Sequence, residues 1–266
     1  YMLETQDLED YTTISIINKD NELVLNTSIL TEIYKKCNKF VLKKDDRKVI
    51  ENILIELDTN SIKAVSTDSR RLFQIERPVE CNVKKILHIQ PKNLHKLIKD
   101  VQGNPISAYY TDNYLWIQDM DDVTGCRLNP DLQYPNIEEV IPKEIEQSIT
   151  INKDKLNAVL KPMIFLGKMD KHNRTEGFVR FSFNENTLRI MGQKYGDNVL
   201  MESTLNLDNP ITNREIGLNP LFLMDALESL EDDEIQFNFP KNMTPQVVLK
   251  NNIGDFSLIM GIRLEE

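Results

Sequence analysis

The residues of this 266-residue chain whose types could do chemistry are three histidines, three cysteines and two acidic runs. His88, His95 and His172 could serve as bases or metal ligands only with a second polar group within reach. None has a neighbour that makes a plausible triad or metal set. His88 sits in a strand-like run, His95 on a lysine-rich helical segment and His172 in a polar loop. Cys37, Cys81 and Cys126 are odd in number and far apart, with no CxxC or Cys/His cluster, so packed thiols fit better than a disulfide framework or a zinc site. Asp119, Asp121 and Asp122 could hold a divalent ion, but such a cluster is far more often a solvated hairpin turn, and Glu231–Glu234 reads the same way. No phosphate-cradling GxxxxGK[ST], GxGxxG or GxSxG segment occurs, and glycine is scarce at nine residues. The expectation is no catalytic residue, no metal and no cofactor.

Lysines offer a different chemistry, contact with phosphate. Lys35, Lys36 and Lys39 fall on one helical segment, with Lys43 and Lys44 just beyond it. Lys92, Lys96 and Lys99 follow at i, i+4 and i+7 on a second, and Lys153, Lys155 and Lys161 on a third. The net charge of −10 argues against a protein that coats nucleic acid with its whole surface. Basic helices on an acidic body still suit loose, sequence-independent contact with phosphates. On residue types alone, an ordinary solvated face is the favoured reading.

The elements that must position these residues are announced by a repeated phrase. Leu25-Asn26…Leu30, Ile89-Gln90…Leu94, Ile151-Asn152…Leu156 and Leu218-Asn219…Leu223 each place an apolar residue at N′, an amide at Ncap and Leu at N4 of a helix. That is a hydrophobic staple, and Pro91 and Pro220 add the favoured proline at N1. Four copies predict one unit repeated four times. After each staple comes a helical stripe, stopped by Gly103-Asn104 in the second unit and by Pro162 in the third, then short β-runs. The runs are Ile50–Leu57, Ile62–Thr67, Leu72–Ile75 and Ile86–Ile89; Ile106–Tyr110, Tyr114–Gln118 and Val123–Leu128; Phe178–Phe183, Leu188–Met191, Val199–Leu205 and Glu215–Leu218; and Ile235–Phe239, Val247–Leu249 and Phe256–Ile262. Asp58-Thr59-Asn60 and Asn184-Glu185-Asn186 are matching polar turns.

The predicted class is α+β with antiparallel sheets, because the strand connections are too short for parallel crossovers. Units pair into two domains, 21–144 and 145–266, with the boundary in the polar stretch Pro142–Gln147. Residues 1–20, including a strand-like Thr12–Ile17, belong to neither pair, and the chain opens Tyr1-Met2-Leu3, so a tail of a preceding domain is expected there. No apolar run is long enough to span a bilayer and no signal-peptide pattern opens the chain.

Four segments carry a resemblance. Val65-Ser66-Thr67-Asp68-Ser69-Arg70-Arg71-Leu72 resembles the "ATD-x-x-RL" segment of the bacterial sliding clamp family, the β subunit of DNA polymerase III. Tyr134–Pro142 resembles its "(F/Y)PDY…VLP" stretch, Met260–Leu264 its terminal "MPMRL", and Ile216–Asn219 its approach to the last helix. The resemblance implies a DNA-clamp (processivity) fold, two domains each of two helix-plus-antiparallel-sheet halves, matching the family's middle and C-terminal domains. It implies tethering rather than catalysis, in the bacterial cytoplasm at the nucleoid. The implied partners are double-stranded DNA without sequence preference, replicative and repair DNA polymerases and the clamp loader. Family chains close as a homodimer ring when full length, and this piece is expected to be monomeric. The family's partner-peptide groove falls on Ile50, Thr67, Arg71, Leu72, Pro135, Val140, Asn219, Phe222, Leu258, Met260, Ile262, Arg263 and Leu264, and its DNA-facing positions on Lys35, Lys39, Lys92 and Lys96. Gly261 stands where the family often has Pro, Glu139 where a basic residue is common, and Glu265-Glu266 extend past the usual terminal Leu. The alternative from another class is a protein-interaction scaffold that reuses the repeat without DNA.

Overall fold

A computed structural model describes residues 21–42, 47–80, 83–168, 177–194, 199–241, 245–262 and 264. The expected tail 1–20 with Thr12–Ile17, and Lys43, Lys44, Cys81, His172, Arg263, Glu265 and Glu266, lie outside the described residues. The first half of the chain runs β1 (Glu22–Leu25), α1 (Thr27–Cys37), β2 (Ile53–Leu57), β3 (Ser61–Thr67), β4 (Arg71–Pro78), β5 (Lys85–Ile89), α2 (Pro91–Ile98), β6 (Ile106–Tyr110), β7 (Tyr114–Asp119) and β8 (Asp122–Arg127). The second runs β9 (Ile145–Asn152), α3 (Lys153–Leu160), β10 (Gly177–Lys194), β11 (Val199–Leu218), α4 (Pro220–Ser229), β12 (Glu234–Pro240), β13 (Gln246–Lys250) and β14 (Phe256–Met260).

The four α-helices among the described residues all start at the staples. Both apolar members of every pair are buried at 5% exposure or less. Asn26 Oδ1 accepts from the N–H groups of Ser28 and Ile29, Asn152 Oδ1 from Lys155, and Asn219 Oδ1 from Leu221 and Phe222. Gln90 makes no such side-chain cap. Gln, one methylene longer than the Asn at the other three starts, is not among the favoured Ncap residues. Asn219 is 3% exposed and also donates from Nδ2 to Gly167 O at 3.2 Å. Asn219→Ala therefore loses about 1–2 kcal/mol of stability, at the upper part of the range for caps, read as a lower urea midpoint at unchanged slope.

Several boundaries differ from the sequence reading. Helix α2 ends at Ile98, before Gly103-Asn104. Those two residues instead hold the start of α1, where Thr27 N donates to Asn104 Oδ1 and Thr27 Oγ1 to Gly103 O. Pro162 does end α3, which passes into the 3-10 stretch Lys161–Gly167. The run beginning at Ile50 is a 3-10 turn, Lys48–Glu51, tied by Asn52 Nδ2 to Lys48 O, and β2 starts only at Ile53. Within the stretch Pro142–Gln147, residues from Ile145 onward are β9, paired with β12.

β10 needs closer description. A straight strand of its 18 residues would extend about 60 Å. Yet a Cβ on Gly177 would run into the backbone of Gln193 and Lys194, so the two ends lie side by side and only glycine admits the approach. The fold-back is at Glu185, with φ 48°, and Thr187 Oγ1 donates to Asn184 O across it at 2.9 Å. The polar turn Asn184–Asn186 is thus the tip between the two expected runs. β11 pairs with both arms: its early residues with Thr187–Gln193 and its late ones, Arg214–Leu218, with Val179–Phe183.

Every strand pairing among the described residues is antiparallel. The strand leading into each helix joins the sheet of the other unit in its half: β1 pairs with β6, β5 with β2, β9 with β12, and late β11 with early β10. Eight strands form one sheet in the order β5-β2-β3-β4-β14-β13-β12-β9, which crosses from one half of the chain to the other at β4–β14. Strand alternation divides its side chains. Ile53, Ile55, Ala64, Phe73, Leu249 and Ile259 join the helices in the main core. Leu54, Val65, Leu72, Val248 and Leu258 form a second cluster with Ile137, on the face away from the helices. Helix neighbours are α2–α1, α1–α4 and α4–α3, a single layer.

Candidate functional site

The expected groove positions come together where β4 meets β14. Leu72 pairs with Leu258 and Arg71 with Ile259, and Met260 N donates to Arg70 O at 2.9 Å. Beyond β14 the chain leaves β4: Gly261 N donates to Pro245 O, and Ile262 N to Gly217 O at 2.7 Å, at the end of β11. Leu264 Cδ2 lies 3.0 Å from the place a Gly217 Cβ would take, so glycine there lets the tail lie close. The segment joining the halves crosses the outer face of the sheet, with Tyr134, Ile137 and Ile141 packed on Leu54, Val65, Leu72, Val248 and Leu258. Val140 (52% exposed) and Met260 (37%) project from this apolar ground, Pro135 is exposed, and Ile262 and Leu264 are half-buried. These side chains can receive apolar groups of a partner, with Met260 adaptable to their shape.

The other expected groove residues stand behind that surface. Ile50, Thr67, Arg71, Asn219 and Phe222 are all buried. Thr67 Oγ1 donates to Arg71 O at 2.7 Å and accepts from Ser69 N, holding the turn in which Ser69 adopts φ 74°. Arg71 lies between the rings of Phe40 (4.9 Å) and Phe222 (4.4 Å). Its Nε donates to Asp68 at 3.0 Å, Nη1 to Asp225 of α4 at 2.6 Å and Nη2 to Lys39 O at 2.7 Å. A guanidinium that lies over two rings and donates from all three nitrogens joins the two halves. Arg263 lies outside the described residues.

A second junction was not visible in the sequence. Asp255, with no exposed surface, takes both Arg77 Nη1 and Nη2 at 2.6 and 2.7 Å and Lys36 Nζ at 3.1 Å. Glu32 takes Lys36 at 2.8 Å and Arg77 Nε at 3.1 Å. Burial alone would raise both carboxyls, but hydrogen bonds from Arg77 and Lys36 outweigh it and hold them below the ordinary carboxylate range. The network explains why Lys36, expected on a polar helix face, is 3% exposed.

Among the expected phosphate-facing lysines, Lys35, Lys92 and Lys96 are exposed on α1 and α2. Lys39 is half-buried, its Nζ 2.6 Å from Glu228 of α4. Lys153, partly covered, donates to Leu230 O. Of the two described histidines, His95 is exposed and stacks on Tyr34 at 4.8 Å, and His88, buried beside Tyr134, is held below its ordinary pKa by that burial. Cys37 and Cys126 are buried thiols, each pushed up to about 12 by burial. Asp119 accepts from the N–H groups of Gln102 and Gly103 beside the β7–β8 turn. An open depression of about 920 Å³ beside β5 has Lys63, Lys84 and Lys85 on its wall, each paired with a carboxylate, so its charges are largely balanced.

Residues 138–261 match the family model described as DNA polymerase III beta subunit, C-terminal domain. The chain is 23% identical over 267 residues to the beta sliding clamp of Lactococcus lactis, covering 98% of this chain and 70% of that protein. It is 19% identical over 270 residues to that of Chlamydia muridarum, covering 100% and 71%. The DNA polymerase III beta subunit structure from Thermotoga maritima superposes with a TM-score of 0.83 at 20% identity, over 97% of this chain and 70% of that one. The fold is that of the DNA polymerase III beta subunit structures, and nearly the whole chain is similar to beta sliding clamps.

Proposed function

We propose that this chain acts as part of a processivity clamp, holding DNA polymerase on duplex DNA without catalysing a reaction itself. The observation that carries the reading is the two-faced sheet: one helix layer bearing exposed Lys35, Lys92 and Lys96 on one side, and the apolar ground around Val140 and Met260 on the other. Residues 21–144 are read as the middle clamp domain and 145–266 as the C-terminal one. The lysines face phosphates loosely, without reading bases. The groove takes short peptide segments of polymerases and of the clamp loader, in the bacterial cytoplasm. Tyr134, Ile137 and Ile141 shape its floor, while Arg71, Asn219 and Phe222 hold its walls in place.

Fluorescence anisotropy with a labelled peptide carrying adjacent Leu-Phe anchors tests the groove. Binding in the micromolar range is expected, and Met260→Ala and Val140→Ala, both at exposed positions, should each weaken it about fivefold or more, the threshold for a significant anchor. Binding that ignores both substitutions would place the peptide elsewhere. Duplex binding should be weak, fall steeply with added salt and show no sequence preference; tight sequence-specific binding would contradict the clamp reading.

A further inference from the structure

The inference rests on the groove reading above and concerns the chemistry of the occupant. The 3-10 turn Ile137–Glu139 borders the groove. Ile137 is buried among Leu72, Leu258 and their neighbours, which anchors the turn to the sheet. Glu138 and Glu139, next along it, are both exposed, and Val140 follows at once as an exposed apolar step. Asn136 fixes the pair: its Oδ1 accepts from Glu138 N at 3.2 Å and its Nδ2 donates to the Glu139 carboxylate at 2.8 Å. Lys63 comes only to 4.0 Å of Glu138, and its Nζ is engaged by Glu56 at 2.7 Å. Two adjacent carboxylates therefore present largely uncompensated negative charge beside the apolar ground.

A segment whose apolar side chains rest on Val140 and Met260 brings its flanking residue against these carboxylates. We propose that the groove selects a linear peptide segment of a partner protein with a Lys or Arg beside its apolar anchors, held by Glu138 and Glu139. The carboxylates add little to apolar anchoring; they discriminate between flanking charges, because an acidic flank meets like charge while a basic one gains an ion pair.

The test is an anisotropy titration with acetylated, amidated peptides that share Leu-Phe anchors and carry Lys, Gln or Glu at one flanking position, placed in turn on each side. On one side the Lys peptide should bind about three- to tenfold tighter than the Glu peptide at low salt, as expected for exposed pairs, with Gln between. The ratio should shrink toward one as salt screens it. The E138Q/E139Q double variant, changed only at exposed side chains, should abolish the ratio while leaving the Gln peptide within about twofold. Equal binding of the Lys and Glu peptides on both sides overturns the proposal, as does a ratio that survives in the double variant. If no peptide in the set binds, the groove reading itself fails and takes this proposal with it.

Discussion

Asp255→Ala should lower the unfolding free energy by about 3–5 kcal/mol, the range for removing one partner of a buried ion pair. The size follows from what is left behind. Lys36 is 3% exposed, and Arg77, largely covered, directs two nitrogens at the missing carboxylate; neither reaches water easily. Glu32 remains, but it comes from α1, whereas Asp255 is the residue that ties the β13–β14 turn to β4 and α1. Urea unfolding measures the loss, and a midpoint within error of the unsubstituted chain would sink the account. The pH dependence has a defined sign. Asp255 and Glu32 are held below their ordinary values, so their stabilisation is present above the unfolded carboxylate range and is lost as pH falls through their folded values. Stability should therefore fall below about pH 4 more steeply in the parent chain than in Asp255→Ala.

Arg71→Ala should cost about as much, roughly 3–5 kcal/mol, and should weaken peptide binding as well. The guanidinium lies between two aromatic rings and bonds Asp68, Asp225 and a main-chain carbonyl. Its removal leaves Asp68 and Asp225 without their shared cation and opens a gap behind Leu72 and Phe222. Arg71→Lys should recover less than half of the loss, since an ammonium cannot stack between rings and reach three acceptors at fixed angles. Thermal unfolding read beside peptide affinity separates the roles. A residue that only touched the peptide would change affinity and leave the melting temperature alone; the geometry predicts that both fall.

Much of the fold was legible because its signals are local. A staple needs six consecutive residues, and all four helix starts stand where those residues place them. The polar turn at Asn184–Asn186 was readable for the same reason. Gln90 shows the limit of reading by type: an amide at the right position, one methylene longer than Asn, makes no side-chain cap. Lys36 was read as solvated because its partner Asp255 is 219 residues away, and no periodicity reports a contact at that separation. The acidic run at Glu231 was likewise more than a solvated stretch, since Glu231 reaches Lys36 at 3.5 Å and Asp232 accepts from Asn252 N. At the candidate site, the motif positions Leu72, Leu258 and Met260 come together where β4 meets β14. Whether a residue shows its side chain to a partner or buries it, as Arg71 and Asn219 do, depends on the packing of α4 against α1.

The exchange of leading strands sets the smallest self-contained piece of this chain. In sequence the repeat looks like four separable copies. In the folded chain β1 completes the sheet begun by β6, and β5 the sheet begun by β2. A single copy excised from its neighbour would carry an orphan strand and a sheet missing its margin. The smallest piece of this architecture in which every leading strand has its partner is accordingly the pair of units.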